Sequence, residues 1–480
     1  MKKVSATPEV EPTAHRVEKD LLQLVCDLSA GFFDGLRERP VGRPVDPSAL
    51  LARLGGKLPT DGEDPLQVVR HLAEVADPGI VATAGPRYFG FVTGGSVPAA
   101  IAADWLTSAW DQNAFTYVMA PAAKMAEEVV RQWLTELLGL STDMSLGLVT
   151  GATMANFTCL AAARHALLGA RGWNVEEKGL FGAPEFTVIT SDESHITVFV
   201  ALQMLGLGRQ RVLRVATDEQ GRMRASELQA LLPKIASPAL VCAQAGNVNT
   251  GAFDPIAEIA QLVHQHGSCL HVDGAFGTWA AASPSLRHLA SGIEQADSIA
   301  VDGHKWLNVP YDSGMAFVRD SRAHAAAMTL NAPYYGPATD VARQNQNRAP
   351  ESSRRARSFA IYAALRSLGR NGVSALMERS CRQARRMAER LSGDSRAKIL
   401  NDVVLNQVLV RFSPKVRGDA DSFTAEVIRR VQQDGTCWAG GTNWHGVHAM
   451  RISICNWSTT EADVERSAEA ILRCVDAAEG

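Results

Sequence analysis

The stretch SIAVDGHKWLNVPYDSG, residues 298–314, decides how this chain reads. An apolar run of strand character, Ile299, Ala300 and Val301, ends in a turn at Gly303 and His304 and delivers Lys305 among Trp306, Leu307, Val309 and Pro310. An ammonium group normally seeks water. Beside a strand end it is desolvated, which is expected to lower its pKa toward that of a nucleophilic, Schiff-base-forming amine. The ordinary alternative is a surface lysine that snorkels. Three upstream features tip the reading: Asp273 closes a second apolar strand, His195 follows a third, and Gly151, Ala152 and Thr153 form a small-residue turn that opens a helix. Such a turn lets backbone N–H groups approach an anion at the positive end of a helix.

The motifs SDESH (191–195), HVDGA (271–275) and DGHKW (302–306) occur in this order, and with them the chain resembles the pyridoxal phosphate (PLP) dependent group II amino-acid decarboxylases. That family includes aromatic-amino-acid, glutamate, histidine and diaminobutyrate decarboxylases. The resemblance extends over about residues 21–476. It implies the type I PLP-enzyme (aspartate aminotransferase-like) α/β fold, with a large, mostly parallel seven-stranded sheet. The expected organisation is a helical N-terminal arm (1–85), a large PLP-binding domain (86–370) and a small C-terminal α/β domain (371–480). In the family the arm wraps a second subunit, so a homodimer with active sites at the subunit interface is expected.

The resemblance also implies roles. Lys305 holds PLP covalently, Asp273 keeps its pyridine nitrogen protonated, His195 stacks on the ring and Ala275 packs flat against it. Gly151, Ala152 and Thr153 seat the phosphate, and His304 contacts the phosphate or the substrate carboxylate. Phe91, Val92 and Thr93 line the substrate pocket, and Phe115 reaches into the other subunit's site. Tyr334, with Tyr335 as the competing candidate, returns a proton to the substrate carbon after CO2 leaves. Asp302 stands where relatives carry a neutral phosphate ligand. An acid there would repel phosphate, so it is expected to bond a backbone N–H and point away.

Bulk properties bound the alternatives. The chain has 480 residues, is 46% hydrophobic and carries a formal net charge of -3, so a large core is expected and no basic field invites nucleic acid. The His and Cys spacing fits no zinc module, and no metal is expected. Eight cysteines lie scattered without a CxxC pair, as in a reduced, cytoplasmic protein. The first residues, MKKVSATPEVEPTAHR, lack an apolar h-region and read as a disordered leader rather than a signal peptide. No apolar run approaches the ~20 residues of a membrane span.

Along the chain, helices are expected at 15–39, 66–76, from Pro98, and at 120–140, with strands at 186–190, 212–215 and 240–242 alternating with helices. Asp254 and Pro255 read as N-cap and first residue of a helix. Residues 319–357 lose periodicity and contain Arg354, Arg355 and Arg357, which either hold the loop or a phosphate, or begin a solvated helix. Helices follow at 359–368 and 372–391, then strands at 403–412 and 450–455 around a helix at 422–434. A last helix is expected with Ser458 as N-cap and Glu461 three residues on. Trp438, Trp444 and His445 either border the site or pack between domains.

The expected activity is decarboxylation of an L-amino acid to its amine, a step of amino-acid metabolism, with an aromatic or apolar side chain favoured by Phe91, Val92 and Phe115. Rival readings are oxidative decarboxylation-deamination to an aldehyde, decarboxylation of 2,4-diaminobutyrate or an acidic amino acid, aminotransfer, and a non-catalytic binding partner that keeps the scaffold.

Overall fold

Short runs rich in aliphatic and β-branched residues, each ended by turn formers, make the strands of the larger sheet: β1 (Ser145–Val149), β2 (Thr187–Ser191), β3 (Leu213–Val215), β4 (Ala239–Gln244), β5 (Cys269–Asp273), β6 (Ser298–Asp302) and β7 (Gly314–Val318). The computed structural model describes residues 19–42, 44–329, 347–416 and 418–479. Strand order is β1-β7-β6-β5-β4-β2-β3. Strand β7 runs antiparallel to both neighbours, β1 and β6, while the other pairings are parallel. Six strands therefore point the same way, and the chain leaves their carboxyl ends along one edge at Gly151, His195, Asp273 and Lys305. This is the expected fold class. It is also the edge where open α/β sheets bind ligands.

Strands β1, β4, β6 and β7 are buried along their whole length, as in a sheet covered on both faces. The helix Ala152–Gly169 packs on β6 and β7 and against the helices Ile196–Met204 and Ser321–Met328. The last of these lies inside the segment read as aperiodic. Its start is fixed locally, because Asp320 accepts the N–H groups of Arg322 at 2.9 Å and Ala323 at 3.0 Å.

A second, antiparallel sheet has the order β10-β11-β9-β8, formed by β8 (Ala397–Ile399), β9 (Gln407–Phe412), β10 (Gly440–Trp444) and β11 (Val447–Ser453). Its core is separate from that of the larger sheet. Residue 403 cannot begin a strand as expected, since Val403 has φ 29°. Strand β10, GGTNW, was missed because it lacks alternation. It is specified instead by the two-residue turn His445-Gly446, both at positive φ (48° and 82°), which folds it back on β11.

Two predicted caps are displaced. The final helix, Glu461–Glu479, starts from a reciprocal pair, Thr460 N–H to Asp463 at 3.0 Å and Asp463 N–H to the Thr460 hydroxyl at 3.2 Å, while Ser458 bonds Asn456. Asp254 does not cap the helix Ile256–Gln265. Its buried carboxylate accepts N–H groups from Met223 and Gln244, each at 2.7 Å, and burial raises its pKa to about 6.

Both sheets belong to one compact unit, residues 83–480. The expected boundary at 370/371 falls within the helix Ser358–Ser392, next to its break at Gly369 (φ 61°). The described residues from 19 to 82 belong to the other unit, with helices Lys19–Gly35, Pro47–Leu54 and Pro65–Ala76. Asp46 and Asp64 cap the second and third, each followed by proline. The first buries none of its residues. Among the described residues no helix is long and apolar enough to cross a membrane.

The start of β7 touches the turn after β1 so closely that a Cβ on Gly314 would lie 2.4 Å from the Gly151 Cα. That neighbour is backbone, so it cannot swing aside. Gly314→Ala is expected to lower unfolding free energy by about 1–3 kcal/mol in urea titrations. Wild-type stability in this variant would contradict the close approach.

Candidate active site

At the carboxyl edge, a cleft with about 660 Å3 of empty space is lined by Gly151, Ala152, Thr153, His195, Asp273, Ala275, His304 and Lys305. All eight were singled out from the sequence as cofactor contacts, and the fold brings them together. Asp302, Thr197, Gln244, Val248 and Phe276 line it as well.

The helix Ala152–Gly169 forms its first intrahelical bond from Ala155 N–H to Gly151 O, leaving the N–H groups ahead of it without helical partners. One of them, that of Ala152, donates to Asp302 Oδ1 at 2.6 Å. The other oxygen of Asp302 pairs with Lys305 Nζ at 2.8 Å. Asp302 thus does bond a backbone N–H, but it does not point away: it faces the lysine. His304 Nδ1 accepts the Ser313 N–H at 3.2 Å, so its Nε2, 3.4 Å from Asp302, carries the hydrogen in the neutral ring. Burial lowers the His304 pKa. Burial also acts to lower that of Lys305, as the sequence suggested, but the charge and hydrogen bond of Asp302 outweigh it and the net direction is upward. Lys305 is a paired ammonium.

The second carboxylate is held by a chain of side chains whose donor directions are all determined. His195 Nδ1 faces the Thr197 N–H at 3.4 Å and the Thr197 hydroxyl at 2.8 Å, and so must accept. The Asn156 amide nitrogen donates to Thr197 Oγ1 at 3.2 Å and to Asp273 Oδ2 at 3.1 Å. Its oxygen therefore accepts from His271 Nε2 at 2.8 Å, leaving His271 Nδ1 to accept from Ser298 Oγ at 2.9 Å. Asp273 Oδ1 takes the Ala275 N–H at 3.2 Å. Both histidines are neutral in this pattern. Burial agrees, lowering the His195 pKa and pushing that of His271 down to about 4.

Other expected residues lie elsewhere. Val92 is buried in the large core, Phe115 is buried, and Phe91 is 62% exposed and stacks on Trp438. Phe91, Val92 and Thr93 do not line the cleft, while the expectation for Phe115 concerns a second subunit's site. Thr93 hydrogen-bonds Tyr311, whose ring stacks on His304 with centroids 4.3 Å apart. Tyr334 and Tyr335 fall outside the described residues. Arg355 is tied to Asp104 and Ser108, each at 2.8 Å, Arg354 lies 3.6 Å from Glu127, and Arg357 reaches Leu148 O, so the arginine cluster braces neighbouring segments rather than the cleft. Trp438 stacks on Tyr88, and His445 pairs with Glu193 at 3.3 Å.

Sequence reading missed Asn156, Tyr311 and Arg451. An asparagine within the apolar run MANFTCLAAA was the available signal for the first. Arg451 on β11 donates to Val248 O at 3.3 Å, and its charge acts on His195. No group of three or more potential metal ligands occurs among the described residues.

The pyridoxal-dependent decarboxylase conserved domain matches residues 47–414. An aromatic-L-amino-acid decarboxylase of Bacillus atrophaeus is 25% identical over 91% of this chain and 91% of its own. An L-2,4-diaminobutyrate decarboxylase of Rhizobium meliloti is 30% identical over 78% of this chain and 75% of its own. The crystal structure of Oryza sativa TDC with PLP and tryptamine superimposes with a TM-score of 0.89 at 23% identity, covering 98% of this chain and all (100%) of that one.

The neutral state of His271 predicts a pH dependence. Unfolded, this imidazole takes a proton below about pH 6.5. Folded, it does so only near pH 4. Stability present above pH 6.5 is therefore lost as pH falls through that window, about 3 kcal/mol of it from His271 by pH 4. Urea unfolding at steps from pH 7 to pH 4.5 should show the decline, and His271→Gln should flatten it. An equally steep decline in the variant would refute the assignment.

Proposed function

This chain belongs to the pyridoxal-dependent decarboxylase family, a group of PLP-dependent carboxy-lyases acting on amino acids, and we propose that its substrate is an L-amino acid with an aromatic or apolar side chain. The observation that carries the site assignment is the convergence of Lys305, Asp273 and His195 with the helix start at 151–153 in one cleft.

The donor set fits PLP. A Cβ on Gly151 would lie 3.0 Å from the His304 ring, so the glycine keeps open a cradle beside the helix start. There the Thr153 N–H and hydroxyl would hold the phosphate, with His304 beside them. Lys305 would hold the aldehyde carbon. Asp273, backed by Asn156 and the Ala275 N–H, would hold the proton on the pyridine nitrogen, and the flat His195 and Ala275 would enclose the ring. When bound, the cofactor supplies an electron-withdrawing ring that makes loss of CO2 from the substrate Cα feasible. The chain's own groups then orient the reacting bond and manage protons. A neutral His195 shields the ring face from water. Arg451, a half-buried guanidinium whose charge acts on His195, is our candidate for the substrate carboxylate. Tyr334, or Tyr335, is the proposed proton donor to Cα.

For the side chain, Val248 and Phe276 supply apolar wall, and the cleft's cation, Lys305, already faces two carboxylates. An acidic side chain would find no spare positive charge among the described lining residues. We also propose a homodimer. The helix Pro98–Trp110 and the turn after it leave Trp105, Leu106, Trp110 and Met119 exposed, with Val118 87% accessible, an apolar area that a second copy would cover. Eight free cysteines support a reducing, cytoplasmic setting.

Lys305→Ala is expected to abolish both CO2 release and the visible absorbance that develops when PLP is added. Asp273→Asn should retain binding but lose at least about 100-fold in kcat. A CO2-release screen across aromatic, aliphatic, acidic and diamino acids should favour the aromatic or aliphatic set. A preference for glutamate or diaminobutyrate would overturn the substrate reading, and peroxide with ammonia in the product mixture would point to the aldehyde-forming reaction.

A further inference from the structure

Asp302 occupies both places that PLP must use. Its Oδ1 takes the Ala152 N–H at 2.6 Å, at the helix start proposed to seat the phosphate, and its Oδ2 holds Lys305 at 2.8 Å. The carboxylate is buried, as is the backbone round it: Trp279 donates to Asp302 O at 2.9 Å, and the Asp302 N–H is spent on Ala275 O at 2.8 Å. It cannot move aside without leaving the Ala152 amide and the ammonium unanswered. A phosphate dianion brought to the same helix start meets a fixed negative charge, and like charges a few ångströms apart in a buried site repel strongly.

We propose that Asp302 is a positioning residue that couples the two ends of the cofactor, so that bonding of Lys305 to the aldehyde discharges the carboxylate that otherwise opposes the phosphate. This inference rests on the reading of the cleft as the PLP site. The proton count closes. Of the three ammonium protons, one passes to Asp302, the group in contact, and two leave with the carbonyl oxygen as water when the C–N bond forms. Asp302 is then a neutral carboxyl group, still able to accept the Ala152 N–H; both charges of the pair are gone, but the repelling one sat at the helix start through Oδ1 while the ammonium lay on the far oxygen, Oδ2, so the loss favours the phosphate seat. Other groups that act on Lys305 are Asp273 from β5, Tyr311 from the segment before β7, His195, His304 and Cys455. Of these, Asp273 is the other carboxylate, and its oxygens are already bound by Asn156 and Ala275. Asp302 is thus the acceptor in reach.

The two ends can be tested apart on the cofactor-free full-length chain, with pyridoxal, which lacks the phosphate, and inorganic phosphate, which lacks the aldehyde. In the wild type, saturating pyridoxal should tighten phosphate binding, read by calorimetry, about tenfold or more. In Asp302→Asn, which keeps the shape and an acceptor for Ala152, phosphate should bind about tenfold more tightly than to wild type, and pyridoxal should no longer change it. The lysine-adduct absorbance with pyridoxal should also persist to lower pH in this variant, because its ammonium has lost the paired charge. Lys305→Ala, which leaves Asp302 charged and uncompensated, should bind phosphate more weakly than wild type and show no response to pyridoxal. Thermal melting checks that the variants fold, and if Asp302→Asn does not, Lys305→Ala still decides the sign. Equal phosphate affinity in wild type and Asp302→Asn, or coupling that survives in either variant, overturns the proposal. Failure of wild-type protein to form any adduct with pyridoxal would instead remove the cofactor reading on which it stands.

Discussion

A buried carboxylate and the half-buried ammonium paired with it where β6 ends set the terms for everything around them. Neither could stay in that position alone, because an unpaired ion out of water costs several kcal/mol. Each is therefore answered twice. Asp302 has the lysine and a helix amide, and Lys305 has Asp302 at contact and Asp273 farther off. The helix amide is available only because the turn after β1 is brought to the end of β6, and β7 makes this possible by running backward between them. Gly314 sits where that crossing leaves no room for a side chain, its Cβ position falling on the backbone of Gly151. The antiparallel strand in an otherwise parallel sheet is thus part of the same requirement as the ion pair.

The parts of this arrangement that were legible in the sequence are those carried by local pattern. Apolar runs closed by turn residues marked β5 and β6, and the residues that follow such runs, Asp273, His304 and Lys305, necessarily emerge on the carboxyl edge. The direction of the Lys305 pKa was not legible. Local composition supplies the desolvation, while the opposing charge depends on where the Asp302 side chain turns, and that is set by an amide 150 residues earlier in the chain. The displaced caps fail for a related reason. Ser458 and Glu461 match the spacing of a capping box, yet Ser458 is claimed by Asn456, and the same spacing recurs two residues later in Thr460 and Asp463. Spacing proposes a cap, and competition for the acceptor decides it. Strand β10 had no apolar alternation to reveal it, because its place comes from the backbone twist of the turn at His445 and Gly446.

The network behind the cleft shows how the two carboxylates come to differ. Asn156 can give its two hydrogens only to Thr197 and Asp273, which leaves its oxygen needing a donor, and His271 supplies one while staying neutral. A proton added to His271 would have to face the Ser298 hydroxyl, which could turn to accept it, but only by placing an uncompensated charge in a fully buried position. A proton added at His195 Nδ1 would confront the Thr197 N–H, which cannot turn at all. The pattern thus keeps both rings uncharged and leaves Asp273 held by neutral donors and facing the cleft. Asp302 is the reverse case, committed to a cation at contact, Lys305. Two aspartates ending neighbouring parallel strands are thus set apart by their partners, one held by neutral donors and the other by a helix amide and a cation.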